Sequence, residues 1–356
     1  MNSSILLLVF FFLAIFAVSS IECGDADIGG IFSGVSGLLG SIGGLAGAAG
    51  GKKKVALSLC SRKMHHLVKR ENRKFSRFAT LYMHSRFAEI RVSKKAFYVL
   101  TAYPIAESPM ASTFLNLLVR ETNVLSAMFM GSLYTFWVDP VLGQKKVMEY
   151  VSDLYGLDIH TVVVRSGHLW MIEWVQSRQA VVQRTSAPLD ETLTAEEYMY
   201  VMNTSTSETL YLNAVLTEDF DTLDPFCPRH RIHIDCGSWV QREHLLRMGI
   251  AEVSVSDSTL NSSDLNLFLK HWLGGGLNCL RIAVIRMRGD TVPDIIMHAL
   301  APKMTVVEHQ RQYVQSDGKI YIIEARDPDI KRSDGKVGTI KIQPHMFQFM
   351  VWPDHS

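Results

Sequence analysis

Cys227, His230, His233 and Cys236 stand three residues apart, and all four residue types ligate zinc. One ion would need the four side chains on one side of the backbone. The surrounding run Arg231-Ile-His-Ile-Asp235 alternates as a strand does, and successive strand side chains point to opposite faces. His230 and Cys236 then share a face while His233 lies on the other, so the spacing predicts no shared metal ion unless the strand unwinds. His65 and His66 are adjacent in a basic helical segment and diverge by about 100° around it, which suits neither a clamp nor a relay. No nucleophile elbow, His-Glu-x-x-His or dinucleotide fingerprint occurs. Gly51-Lys-Lys-Lys54 is not a phosphate loop, because Ala46 stands where its first glycine belongs and Lys53 where a hydroxyl should hold magnesium. These residues nominate no catalytic group, metal ligand or cofactor, and the expected activity is binding.

The elements around this segment are legible. Arg231 to Asp235 and Ala251 to Val255 are strand-like and bracket a helical run at Gln241 to Met248. A second helix follows. Asn261 or Ser262 can cap it by accepting from its first free N–H groups, and Asp264 suits the positive end of the helix dipole. Leu265, Phe268, Leu269 and Trp272 recur at i, i+3, i+4 and i+7, which makes one apolar stripe and puts Asn266, Lys270 and His271 on other faces. Gly274-Gly-Gly276 ends it. Burial of such a stripe contributes roughly 1.5–3 kcal/mol per large apolar side chain, enough to dock the helix on neighbouring strands.

The order Trp239-Val240, Leu245-Leu246, Val253 and Val255, then Leu260, Asp264-Leu265-Asn266, Phe268-Leu269-Lys270 and Trp272 resembles the type 2 F-box-associated domain of nematode F-box proteins. Ala56 to Lys69 resembles the second half of an F-box, and Asp329-Ile-Lys-Arg-Ser-Asp-Gly-Lys336 resembles the C-terminal hairpin of such proteins. The resemblance implies a substrate-recognition module that holds a target protein near a cullin-type ubiquitin ligase. It also implies a contact with a Skp-type adaptor through Leu57, Leu59 and Leu67. The usual Phe-Pro-Leu-x-x-Leu-Pro first half of the F-box is missing, and the alternative is an amphipathic helix that packs on its own domain.

A length of 356 residues, 47% hydrophobic and 20% charged, is ordinary for a globular protein with one large core or two smaller ones. A formal charge of +1, with scattered basic residues, gives no nucleic-acid footprint. Five cysteines without repeated short spacing favour a reducing compartment for the body of the chain. The start of the chain reads differently. Ile5 to Val18 is uninterruptedly apolar and Val18-Ser-Ser20 offers small residues for cleavage, so residues 1–20 read as a signal peptide, with an uncleaved anchor as the alternative. Residues 21–54 read as a glycine-rich linker or peptide outside the fold, and the hydrophobic segment Ile5 to Val18 before it is the only membrane contact expected. Leader and domain therefore point to different compartments, and the abrupt change at Lys54–Val55 also fits two coding units joined together. Asn203 and Asn261 stand in glycosylation sequons that matter only on the secretory route.

Residues 55–75 are expected to form the partial F-box-like helix and residues 76–356 the F-box-associated domain. Strands are expected at Ala88 to Val92, Ala96 to Thr101, Ile159 to Val164 and Thr209 to Leu212, with helices at Leu142 to Tyr155, His168 to Ser177 and Ala195 to Met202, the last capped by Thr194. Strands centred on Val162, Leu210, Ile232, Val253 and Ile282 recur at about the 20–29 residue period of leucine-rich repeats or its double. The fold expected is an irregular, leucine-rich-repeat-like strand–helix array with a curved sheet, ended by Ile320 to Glu324 and a β-hairpin turning on Asp334-Gly335 in a tight two-residue turn. Its concave surface would bind a protein of unknown identity, by itself or, in the alternative, as a secreted or membrane-tethered binding protein.

Overall fold

The structure is a computed structural model that describes residue 55, residues 58–59, 62–72, 79–92, 95–107, 115–129, 132–217 and 229–353. The signal peptide and glycine-rich segment expected over residues 1–54 lie outside the described residues, as do Leu57 and Cys227. Among the described residues no helix is long and apolar enough to cross a membrane. The chain divides into two compact units, up to Thr161 and from Val162 onward.

The first unit holds α1 (Arg62–Asn72), β1 (Ala79–Met83), β2 (Phe87–Val92), β3 (Lys95–Pro104), β4 (Leu115–Val119), β5 (Thr122–Phe129), β6 (Ser132–Trp137) and α2 (Pro140–Tyr155). Its strands run in the order β1-β2-β3-β6-β5-β4, antiparallel except for β3 against β6. Asp139 starts α2 by accepting from the amides of Val141 and Leu142, Pro140 takes the first turn where no N–H is needed, and Gly156 ends the helix at φ 63°. Val147, Met148, Val151 and Leu154 of α2 are fully buried, as are Leu81, Met83 and Ala88 of the strands. Helix α1 packs on α2 within this unit. Lys69 Nζ and His65 Nε2 reach the Asp153 carboxylate at 2.5 and 3.0 Å, Ser58 Oγ meets Tyr150 OH at 2.7 Å, and Asn72 Nδ2 donates to the Leu154 carbonyl.

β7 (Ile159–Val163) leads into the second unit, which comprises α3 (Trp170–Arg178), β8 (Arg184–Ala187), β9 (Thr192–Leu193), α4 (Ala195–Thr204), β10 (Thr209–Leu212), β11 (Val215–Leu216), β12 (Arg229–Ile234), α5 (Arg242–Arg247), β13 (Ile250–Ser258), α6 (Ser262–Leu273) and β14 (Ile282–Met287). After these come α7 (Pro293–Ile296), β15 (Met304–Val306), β16 (Arg311–Val314), β17 (Ile320–Ile323), β18 (Pro328–Lys331), β19 (Val337–Gln343) and β20 (Met346–Val351). β8, β10, β12, β13 and β14 are parallel neighbours in that order, and β20, β19, β18 and β15 extend the sheet antiparallel from β14. The mixed α/β class expected from the sequence is thus observed. β8 fills the double-length interval between Val162 and Leu210, which the sequence had left without a strand.

One face of the parallel strands forms the core. Leu210, Leu212, Ile232, Ile234, Val253, Val255, Ala283 and Ile285 are all buried, with Phe347 and Phe349 beside them on β20. Phe268 of α6 meets both phenylalanines edge-on at about 6 Å, and Trp272 meets Phe349 at 4.9 Å. Asn261 caps α6 as its sequence suggests, in a capping box with Asp264. Asn266 departs from expectation. Its side chain is not on an outer face but buried, and its Nδ2 donates to the carbonyls of Ile296 and His298 at 2.7 and 2.9 Å, so it holds α7 against α6. A buried amide of this kind is stable only because backbone acceptors replace water.

The C-terminal hairpin is formed by β18 and β19, but not on a two-residue turn. Lys331 pairs with Val337, and the amide of Arg332 donates to the Lys336 carbonyl while that of Gly335 donates back to Arg332. Gly335 sits at φ 93°, where a side chain would be strained. The extra residues give the Asp334 carboxylate room to take two bonds from the Arg332 guanidinium, which holds its pKa down at about 2.

Candidate protein-interaction face

The opposite side of the same five strands carries polar and aromatic side chains in straight rows, because parallel strands here pair residue for residue. Arg184, Thr209, Arg231, Glu252 and Ile282 stand side by side in one row, and Ser186, Tyr211, His233, Ser254 and Val284 in the next. Strand alternation sends these outward for the same reason that it sends Leu210 and Ile232 inward. Ser186, Tyr211, His233 and Ser254 are all half-buried. The Arg184 guanidinium lies 4.6 Å from the Tyr211 ring centre, Tyr211 is 5.4 Å from the His233 ring, and His233 Nε2 pairs with Asp235 at 3.0 Å. Towards the strand ends Arg286 Nη1 donates to Ser256 Oγ, and Arg288 binds Asp257 through two bonds of 2.7 and 2.6 Å.

A two-stranded ribbon of β16 and β17 bounds this face on one side. Tyr313, Tyr321 and Ile323 pack on Ile282, Val284 and Met350, with Met346 and Trp352 alongside. The outward pair of the ribbon, Val314 and Ile320, stays exposed. Its tip is clamped by charge. Glu252, 2% exposed, accepts from Arg231 Nε at 2.6 Å, Gln315 Nε2 at 2.9 Å and the Ser316 amide at 3.1 Å. Arg231 in turn donates to Asp317 at 2.7 Å and to Ser316 Oγ at 2.7 Å. The ribbon therefore covers the β14 end of both rows and the Arg231–Glu252 part of the first. Among the described residues, the half-buried Tyr211–His233–Ser254 part of the second row lies outside this cover.

The clamp makes stability sensitive to acid. Burial pushes the Glu252 carboxyl up, but bonds from Gln315, Ser316 and Arg231 outweigh it and hold the pKa below its ordinary 4.5. Asp317 is likewise held below 3.8, against burial, by the Lys319 amide and Arg231. A depressed carboxylate contributes stability in full above its ordinary pKa and loses it as pH falls through the lower folded value. Thermal midpoints are therefore expected to hold above the ordinary carboxylate pKa of 4.5 and to fall as the pH drops below it, with a smaller decline in Glu252→Gln; parallel curves for the two proteins would contradict the assignment.

The residues singled out in the sequence mostly lie behind this face. Trp239, Leu245, Leu260, Leu265, Phe268, Leu269 and Trp272 are buried, Leu246 is half-buried, Asp264 closes the capping box and Lys270 is exposed on α6. They build the scaffold that holds the strands. Of the three leucines expected to reach an adaptor, Leu59 is buried and Leu67 half-buried. His230 and His233 have separate partners, Ser316 and Asp235, and Cys236 is a free thiol raised in pKa by burial and by Asp257 and Asp235. Tyr211, Ser254, Arg184 and Arg286 were not identified from sequence as surface-forming. The signal was present for Tyr211, as the polar member of Thr209-Leu-Tyr-Leu212, but its in-register partners are visible only once the strands are paired.

The second unit is a parallel sheet with helices on one face and polar and aromatic side chains on the other. Residues 211–282 match the family described as F-box associated, a span that runs from Tyr211 on β10 to the first residue of β14. No curated protein and no solved structure matches the chain.

Proposed function

We propose that the chain is a non-catalytic recognition module that holds a protein target on the open strand face of its second unit. The observation that supports this most directly is coincidence: the family match covers the second half of β10, all of β12 and β13 and the start of β14, the strands that carry Tyr211, His233 and Ser254. Parallel strands paired side by side in this way would present an extended binding surface of the kind repeat-like stacks use. By family, the bound target would be presented to a ubiquitin ligase, with a Skp-type adaptor engaged near α1. Because Leu59 is buried, Leu67 is the adaptor-facing residue of choice in that scheme.

A photo-crosslinking amino acid placed at Ser254 tests the face, with the same probe at exposed Lys270 on α6 as control. In cells, Ser254 is expected to give a discrete adduct with one or a few proteins, and Lys270 none. Equal or absent adducts at both positions would overturn the reading. Retention of a Skp-type adaptor by the wild-type chain but not by Leu67→Lys would support ligase attachment, and loss of no adaptor on that substitution would remove it while leaving the face intact.

A further inference from the structure

We propose that the open face takes an extended acidic segment of its partner, with two carboxylates placed for Arg184 and Arg286; the inference rests on reading this face as the binding surface. Charge matching carries it. Among the described residues, four carboxylates on this face are already engaged: Asp235 by His233, Asp257 by Arg288, Glu252 by Arg231, Gln315 and Ser316, and Asp317 by Arg231. Two guanidinium groups are left over. Arg184 lies against the Tyr211 ring with its Nε unbonded, and neither it nor Arg286 has a carboxylate partner among the described residues. Tyr211 holds the Arg184 guanidinium against its ring, with Nε buried, which reduces the ordering cost of a carboxylate contact through the outer nitrogens.

The two arginines stand at opposite corners of the face. Arg184 is on β8 in the row of Ile282, and Arg286 is four residues beyond Ile282 on β14. Four strand spacings of about 4.8 Å and four residues of about 3.3 Å put their backbones roughly 23 Å apart, the reach of about seven residues of extended chain. Between the corners lie Tyr211, His233, Ser254 and Ser256, which offer ring faces and hydroxyls to an extended backbone rather than further charge. Lone, well-separated guanidinium groups suit single carboxylates; a phosphate dianion calls for several converging donors, and the chain as a whole has no basic excess for nucleic acid.

The test uses the full chain and labelled peptides of roughly twelve residues, mostly Gly, Ser and Tyr, with two Glu about seven positions apart. Controls are the same peptide with Gln or Lys for Glu, one with the two Glu about three apart, and a single-stranded oligonucleotide. Fluorescence anisotropy is expected to favour the widely spaced Glu peptide, to weaken with salt, and to drop about tenfold for Arg184→Gln and again for Arg286→Gln. Double charge reversal, R184E with R286E, is expected to transfer binding to the Lys peptide, which a misfolded variant could not do. Equal binding of the Gln peptide, tighter binding of the oligonucleotide, or indifference to both arginine changes would overturn the proposal. If crosslinking at Ser254 still captures a target that ignores both arginines, the acidic-segment inference fails and the binding face survives; absence of any adduct removes both.

Discussion

Trp272→Ala is expected to lower the unfolding free energy of the second unit by about 3–5 kcal/mol, among the largest effects available to a single substitution in this chain. Trp272 is 1% exposed, meets Phe349 of β20 edge-on, and has the Arg332 guanidinium 5.2 Å from its ring centre. Truncation would leave a void between α6 and the sheet that Phe268 cannot fill, since Phe268 is itself fully buried against Phe347 and Phe349. It would also strip the ring from Arg332, a guanidinium whose side chain is 2% exposed. Urea unfolding followed by circular dichroism gives the number, and Trp272→Phe should recover part of the loss. A variant that melts within about a degree or two of wild type would show that α6 is not seated on the sheet as described.

Glu252→Ala should cost a similar amount, about 3–5 kcal/mol, by a different route. The loss is less of packing than of compensation. Removal of the carboxylate strands Arg231, 8% exposed at its side chain, with Asp317 as its remaining charged partner, and Asp317 is 41% exposed and screened by water. Gln315 and the Ser316 amide lose their acceptor at the same time. The tip of the β16–β17 ribbon should then lift, so proteolysis between Gln315 and Lys319 should accelerate well before global unfolding. The double substitution Arg231→Met with Glu252→Leu should regain most of the loss, because a pair of apolar side chains needs no compensation. A single variant as stable as wild type would mean that the clamp contributes nothing net.

The helices α4 and α6 were legible because each carries its own punctuation. Thr194 with Glu197, and Asn261 with Asp264, announce their helix starts in four residues, and the apolar stripe of α6 is local as well. What stayed hidden depends on partners distant in sequence. β8, Arg184-Thr-Ser-Ala187, has no apolar alternation of its own and is a strand because β10 pairs with it. β4, β5 and β6 of the first unit were likewise not anticipated. Asn266 looked like a surface residue because its acceptors, the carbonyls of Ile296 and His298 at the end of α7 and just beyond it, are distant in sequence. The candidate site suffered most: a half-exposed tyrosine, histidine and serine on three strands become one surface only through register, which no single stretch of chain encodes.

The strict alternation on β10, β12 and β13 leaves evolution two nearly independent alphabets in one text. Tyr211 and His233 alternate with the buried Leu210, Leu212, Ile232 and Ile234, which carry the architecture. On the proposed reading, exchange of Tyr211 and His233, unlike that of the clamp residue Arg231, would alter what is bound while leaving the inward packing in place. Duplicated copies of such a gene could therefore diversify rapidly in their quarry at little cost to foldability, and comparison of sister sequences should show substitutions concentrated at Ser186, Tyr211, His233 and Ser254 rather than at the residues between them.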